Sequence, residues 1–459
     1  MPSLVEARRE LTRDGIDRLA ADLAGWVTHR IGRDASGQYR TQLASIRDTF
    51  LGALDRIRLT GGQLAEWPAG EVFEGCRAVD RQTGLVHRLW RWYAEKFDQR
   101  DDPRYARVLA AADEVVWAVH AQVYRAAGVD PVPPAPLPYL DAVEAPEAVL
   151  RAEPPARLRP DSFDDQLGQL LRRLPVPVVV LPDAARSHPW TLVLLGHEVG
   201  HHLQYDLRPR FELVASSGDI VAGAAGPGPD GERWRAWSAE LFADLAGLVT
   251  MGPAALGALL PYELGGDEWL ITDREGYPPP AVRISVTRAM ARRLGLDCAG
   301  QLSGLQPGSW VAARPDDRAA EARARARADV AAATAVADAL VAAVAADGAT
   351  LAELADFDPM VFAAGGRVAA RVEHLLDGGG PAEQSLATVR ELASAGMLAW
   401  QRVSHAGTAQ WMAGTEALAG TLVDRLSASR EPGTRVAAPA SAAATDRVLI
   451  ERLGTVALA

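Results

Sequence analysis

The stretch "TLVLLGHEVGHHLQYDL", residues 191–207, carries the reading of this chain. Its left half is apolar, and its middle sets His197, Glu198, His201 and His202 within six positions. A buried imidazole or carboxylate without a partner costs on the order of several kcal/mol, so something must satisfy these groups. On a helix, His197 and His201 stand at i and i+4, project from one face and can share one ion. Glu198 lies about 100° round the same helix. That places it beside the open position of an ion rather than as a third ligand, where a carboxylate can take a proton from metal-bound water. A solvated helix face is the alternative, and the apolar approach "WTLVLL" (190–195) argues against it. Chance would produce the pattern roughly 0.01 times in a chain of this composition. Gly196 and Gly200 form a stripe along which another backbone can approach closely.

A third protein ligand must come from elsewhere, and the acids downstream are Glu212, Asp219, Asp230, Glu232, Glu240 and Asp244. The segment 215–232, "ASSGDIVAGAAGPGPDGE", reads as a glycine-rich loop that would hold a ligand poorly. Glu240 instead falls on a helical stretch whose apolar face is Trp237, Leu241, Leu245 and Leu248. Asp244 follows one turn later on Glu240's side, among Ala243, Ala246 and Gly247. Small neighbours let that face sit against the histidine helix. Glu240 can then complete the shell while Asp244 accepts the outer N–H of a ligand imidazole. The alternative is an exposed acidic helix face.

"HEVGH" followed by a helix bearing "AELFAD" resembles the gluzincin, or thermolysin-like, branch of the zinc metallopeptidases. The resemblance spans about residues 160–300 and implies that Zn2+ is held by His197, His201 and Glu240. It further implies that Glu198 is the catalytic base and Asp244 the partner of His197. The β-branched run "LPVPVVVLPD" (174–183), bounded by prolines, reads as an edge or isolated strand. Its position is similar to that of the zincin strand along which an extended peptide substrate pairs. "DREGYPPPAVRISV" (273–286) resembles a proline-rich segment of some bacterial zincin-like proteins, with Tyr277 where those carry histidine. Tyr277 either donates to the oxyanion of a tetrahedral intermediate or caps a rigid turn. Arg283 either docks a substrate carboxylate or pairs with an acid. His202, one turn after Glu198, is expected to be a hydrogen-bonded neighbour and no ligand. Tyr205 and His405 remain outside candidates for the oxyanion role.

Around this centre the chain reads as mainly α with a small β element, a zincin-like core flanked by helical regions. Residues 1–127 have helical spacing of apolar positions, and 128–160 are so proline-rich that they read as an extended connector. The metal-binding domain is expected over 161–300. Its motif helix starts near Ser187 or His188 with Pro189 in the first turn, and a later helical stretch breaks near Gly252-Pro253. An alanine-rich helical region follows over 301–430, with one helix stopping at Gly348 and others over 358–376, 382–403 and 408–427. Residues 431–459 read as a flexible tail. The "ARARAR" run (322–327) reads as a solvated helix face rather than an anion patch.

The totals narrow the function classes. The chain has 459 residues, 48% hydrophobic and 23% charged, as in globular proteins able to bury a core. A net charge of −11 argues against a general affinity for nucleic acid or anionic lipid. Cys76 and Cys298 alone do not suggest a disulfide framework or a cysteine zinc knuckle. No leader-like or membrane-spanning segment is seen, so the expected location is the cytoplasm and the expected partner a peptide or protein substrate. Two rivals stand beside a zinc peptidase. Two histidines and a carboxylate also form the facial triad of non-haem iron(II) oxygenases, although that chemistry needs no base at Glu198. A non-catalytic, zinc-stabilised helical interaction module is the other.

Overall fold

The computed structural model describes residues 3–34, 37–63, 68–150, 155, 158, 174–207, 212–226, 229–303, 305–314, 318–343, 348–378, 385–404 and 408–429. The first three helices, α1 (Leu4–Arg33), α2 (Arg40–Gln63) and α3 (Ala69–Asp98), pack together into a layer of their own. Ser3 opens α1 through a capping box with Glu6, which satisfies backbone N–H groups that a helix start leaves unpaired. Helix α4 (Pro103–Ala126) is capped by Asp102 and begins on a proline, where the missing N–H costs nothing.

Next comes a three-stranded sheet of β1 (Leu137–Asp141), β2 (Glu147–Val149) and β3 (Val178–Pro182), in the order β1-β3-β2. Strand β1 runs parallel to β3, and β2 antiparallel to it. Side chains alternate across a strand, and both faces of β3 are covered. Val178 and Val180 join the core of α1–α3, while Val179 and Leu181 join the larger core of the remaining helices. The sheet is therefore the wall between two helical cores. The unbroken apolar run of β3 follows from that double burial.

Three expectations from the sequence are corrected here. The run 174–183 is the central strand, not an edge or isolated one. Prolines lie at its end, where β3 meets β1 through the Leu137 N–H donating to the Pro177 carbonyl rather than needing a donor from proline. The proline-rich stretch 128–160 is not a connector throughout, because β1 and β2 come from it. Residues 215–232 are not a loop: α6 (Glu212–Ala225) and the start of α7 (Pro229–Met251) occupy them, after α5 (Leu195–Leu207).

A 3-10 segment, Pro189–Leu194, leads into α5, with His188 as its cap residue and proline in its first turn. Gly252, with φ of +58°, ends α7, and Pro253 opens α8 (Pro253–Glu263). Helices α9 (Pro280–Arg293), α10 (Ala320–Ala342), α11 (Arg367–Leu376), α12 (Leu386–Ser404) and α13 (Thr408–Ala428) complete the larger body. The helix expected over 358–376 is shorter, because the chain first makes a 3-10 turn at Pro359–Phe362. The "ARARAR" face is only partly solvated. Arg323 is buried and donates to the Trp310 carbonyl, and Arg327 donates to that of Val311, so both anchor the preceding turn. The expected tail, 431–459, lies outside the described residues. Cys76 and Cys298 are free and buried, and among the described residues no helix is long and apolar enough to cross a membrane.

Candidate metal centre

The centre forms where α5 crosses α7. At Gly200 a Cβ would stand 2.7 Å from the Ala246 Cβ and 3.0 Å from the Ala243 Cα, so only glycine permits this approach. A Cβ at Gly196 would likewise meet Met251 and Thr250, each at 2.8 Å. The stripe of small residues read from the sequence thus brings His197 and His201 against Glu240. Their ligand atoms lie within 4.8 Å of one another.

The distances test whether a metal ion fits. The two Nε2 atoms of His197 and His201 face each other at 3.1 Å. Glu240 Oε1 lies 3.4 Å from His201 Nε2, and Oε2 lies 3.5 Å from His197 Nε2. A tetrahedral ion with bonds of about 2.0–2.1 Å has ligand-to-ligand edges of about 3.3–3.4 Å, so the three side chains have the right spacing. Glu240 Oε2 is buried yet has no aligned hydrogen-bond donor, which leaves lone pairs available. Two imidazole nitrogens and a carboxylate oxygen are a donor set for zinc, and equally for several other divalent ions.

Without a metal, a proton must mediate between these groups. Burial disfavours a charged His197, but contacts with Asp244 and Glu240 outweigh it and push its pKa up to about 10. Burial and the neighbouring His197 charge lower His201 to about 4. Glu240 is brought down to about 2: burial opposes the charge, and His197 and Arg283 overcome it. Their surroundings keep Glu240 and Asp244 ionised.

Asp244 lies behind His197, with Oδ1 2.9 Å from Nδ1, a close contact bent away from ideal hydrogen-bond alignment. Arg283, from α9, grips Asp244 with Nε and Nη2, both at 2.8 Å. Its Nη2 also lies 3.0 Å from Glu240 Oε2, and its Nη1 donates to Glu263 at 2.9 Å. Of the two roles read for Arg283, the structure displays pairing with acids. Thr287 adds a further contact to this network, donating to Asp244 at 3.3 Å.

Glu198 is 6% exposed and has no hydrogen-bond or ion-pair partner among the described residues. Burial is the main reason its pKa rises to about 7, with His197 pulling the other way. His202, one turn after Glu198 on the same face of α5, donates from Nε2 to the Val178 carbonyl at 3.2 Å, tying α5 to β3. Tyr277 closes a tight turn, exchanging backbone hydrogen bonds with Arg274 around Gly276. It also borders the centre: the Arg283 guanidinium lies 5.9 Å from its ring, and the charge of Glu240 raises its pKa. Tyr205 is half-buried further along α5, and His405 lies outside the described residues.

The other acids weighed as ligands stand apart. Asp219 and Glu232 pair with Arg235, and Asp230 with Arg233; the side chain of Glu212 lies outside the described residues. Sequence reasoning missed Glu263 and Tyr262 at the end of α8. Glu263 completes the acids around Arg283, and Tyr262 feels the charge of Glu198. No spacing relates either residue to the histidine pair, so the sequence held no signal for them. Comparison with protein-family models, with curated proteins and with solved structures finds no match.

Proposed function

We propose that the chain is a zinc-dependent, gluzincin-like metallopeptidase that hydrolyses peptide bonds of a peptide or protein substrate. The observation that carries this reading is Glu198. It is an unpaired, buried carboxyl with a pKa near 7, next to a two-histidine, one-carboxylate cluster to which it does not belong. An ion held only for structure needs no such neighbour. An oxygenase does not need one either.

His197, His201 and Glu240 would hold the ion, which when bound supplies Lewis acidity and lowers the pKa of water towards neutrality. Glu198 accepts the proton of the attacking water and later returns it to the leaving amine. A group titrating near 7 can do both at neutral pH. Asp244 and Arg283 fix the His197 ring and the Glu240 carboxylate, so the cluster needs little reorganisation when a substrate arrives. Tyr277 stands at the border of the site, where its hydroxyl can serve the developing oxyanion. The strand edge next to Glu198 is that of β2 rather than β3, because β2 covers β3 on that side.

Metal content and peptide cleavage of wild type and Glu198→Gln, measured side by side, test this reading. The expected result is about one zinc per chain in both, with hydrolysis lowered at least 10²-fold in the variant, as for a lost general base. Equal cleavage by both proteins would exclude Glu198 as the base. Iron- and oxygen-dependent turnover surviving in the variant would replace the hydrolase by an oxygenase.

A further inference from the structure

Helix α9 starts at the metal centre with Arg283 and ends at a separate feature. Its last turns and the chain that follows border an open cavity of about 340 Å³. Leu296, Cys298, Leu302 and Leu305 line its interior, and Arg288 and Arg292, one helical turn apart, stand over it. Arg283 is engaged by three acids, and Arg293 lies 3.8 Å from Asp338. Arg288 and Arg292 have neither an acid nor a hydrogen-bond acceptor among the described residues. Among the described residues, these two guanidinium groups stand without a partner beside a cavity that leucines help to line. The helix dipole accounts for a cation in the last turn, as at Arg292, but its effect has faded one turn earlier at Arg288.

The chemistry of the lining narrows the ligand. Asp297 also borders the cavity, and its carboxylate accepts the Ala299 N–H at 2.9 Å. Two guanidinium groups and one carboxylate leave a local charge of +1, which matches a monoanion better than a phosphate dianion. Burial and the nearby Asp297 push the Cys298 thiol up to about 12, so this wall stays neutral and unreactive. Guanidinium forks match carboxylates in a planar, two-point geometry. The leucines favour an apolar body behind the charged head.

We propose that this cavity binds a small organic monoanion, its carboxylate held by Arg288 and Arg292 and its apolar body lying against Leu296, Leu302 and Leu305. Neither the metal centre nor peptide hydrolysis enters this assignment. A free short-chain acid and the C-terminal carboxylate of a peptide ending in leucine present the same chemistry.

Calorimetric titration of the full chain separates these sources and tests the site. The probes are hexanoate, hexanol, hexylammonium, and an acetylated tripeptide ending in leucine as free acid or amide. Hexanoate or the peptide acid should bind saturably at one per chain, with hexanol at least tenfold weaker than hexanoate and hexylammonium silent. Binding of hexanoate alone assigns free acids, and binding of the peptide acid assigns chain ends. Arg288→Gln with Arg292→Gln, both at exposed positions, should weaken the acid at least tenfold and leave hexanol unchanged. Leu302→Trp should abolish binding by filling the space, and the ligand series on wild type decides even if that variant misfolds. The proposal is overturned if neither acid binds, if amide or hexanol binds as tightly as its acid, or if the double glutamine variant binds as wild type does.

Discussion

At the candidate metal centre a proton and a divalent ion would compete for the same lone pairs. His197 and His201 present facing nitrogens 3.1 Å apart, and only a shared positive charge makes that arrangement comfortable. The surrounding carboxylates supply the attraction that draws such a charge in. Glu240→Ala is therefore expected to lose bound metal nearly as completely as His197→Ala, because each leaves only two protein ligands. Asp244→Ala should keep the site but weaken affinity roughly 10- to 100-fold, as for loss of an outer partner of a ligand histidine. Metal content after dialysis against graded chelator measures both. Normal retention by Glu240→Ala would remove that residue from the ligand set. These residues were legible because helical periodicity alone sets His197 over His201 and Glu240 over Asp244. Arg283 could be read only as seeking some acid, since which acids it meets depends on how α7, α8 and α9 converge.

At the scale of elements, the centre depends on how closely two helices approach. Gly200 has no room for a side chain against Ala243 and Ala246, so the α5–α7 distance is fixed by a missing Cβ. Gly200→Val should force the helices apart, costing about 1–3 kcal/mol as an overpacked core does, and should cost metal affinity as well. Thermal unfolding and metal content are the two readouts. A fall in stability with full metal retention would show that the histidines and Glu240 tolerate a wider spacing. Periodicity found most helices, yet glycine content misled the reading of 215–232. Gly218 there packs against Arg235 of α7 inside a helix, where contact with a neighbouring helix offsets the weak propensity. The strand β3 was legible as a strand but not as a central one. Its partners arise more than 25 residues earlier, from a segment whose prolines hid them.

For the whole molecule, the sheet couples the candidate metal centre to both cores: His202 ties α5 to β3, and β3 carries side chains of each core on its two faces. Metal binding to this centre is thereby expected to stabilise the larger body, since any ligand that binds only the folded state does so. The pH dependence follows from His197. In the metal-free chain its folded pKa, about 10, lies above the ordinary value of 6.5. The protonated ring therefore contributes stability that is fully present below about pH 6.5 and is lost as pH rises towards 10. A bound ion must displace that proton, so its apparent affinity should rise about tenfold per pH unit across the neutral range. Both effects have the same sign for the difference between metal-loaded and metal-free protein. The gap in Tm with zinc and with chelator should widen from pH 6 to pH 8, and calorimetry in matched buffers measures it. A gap that narrows over this range would mean that binding releases no proton from His197, and that the ion is held by other groups.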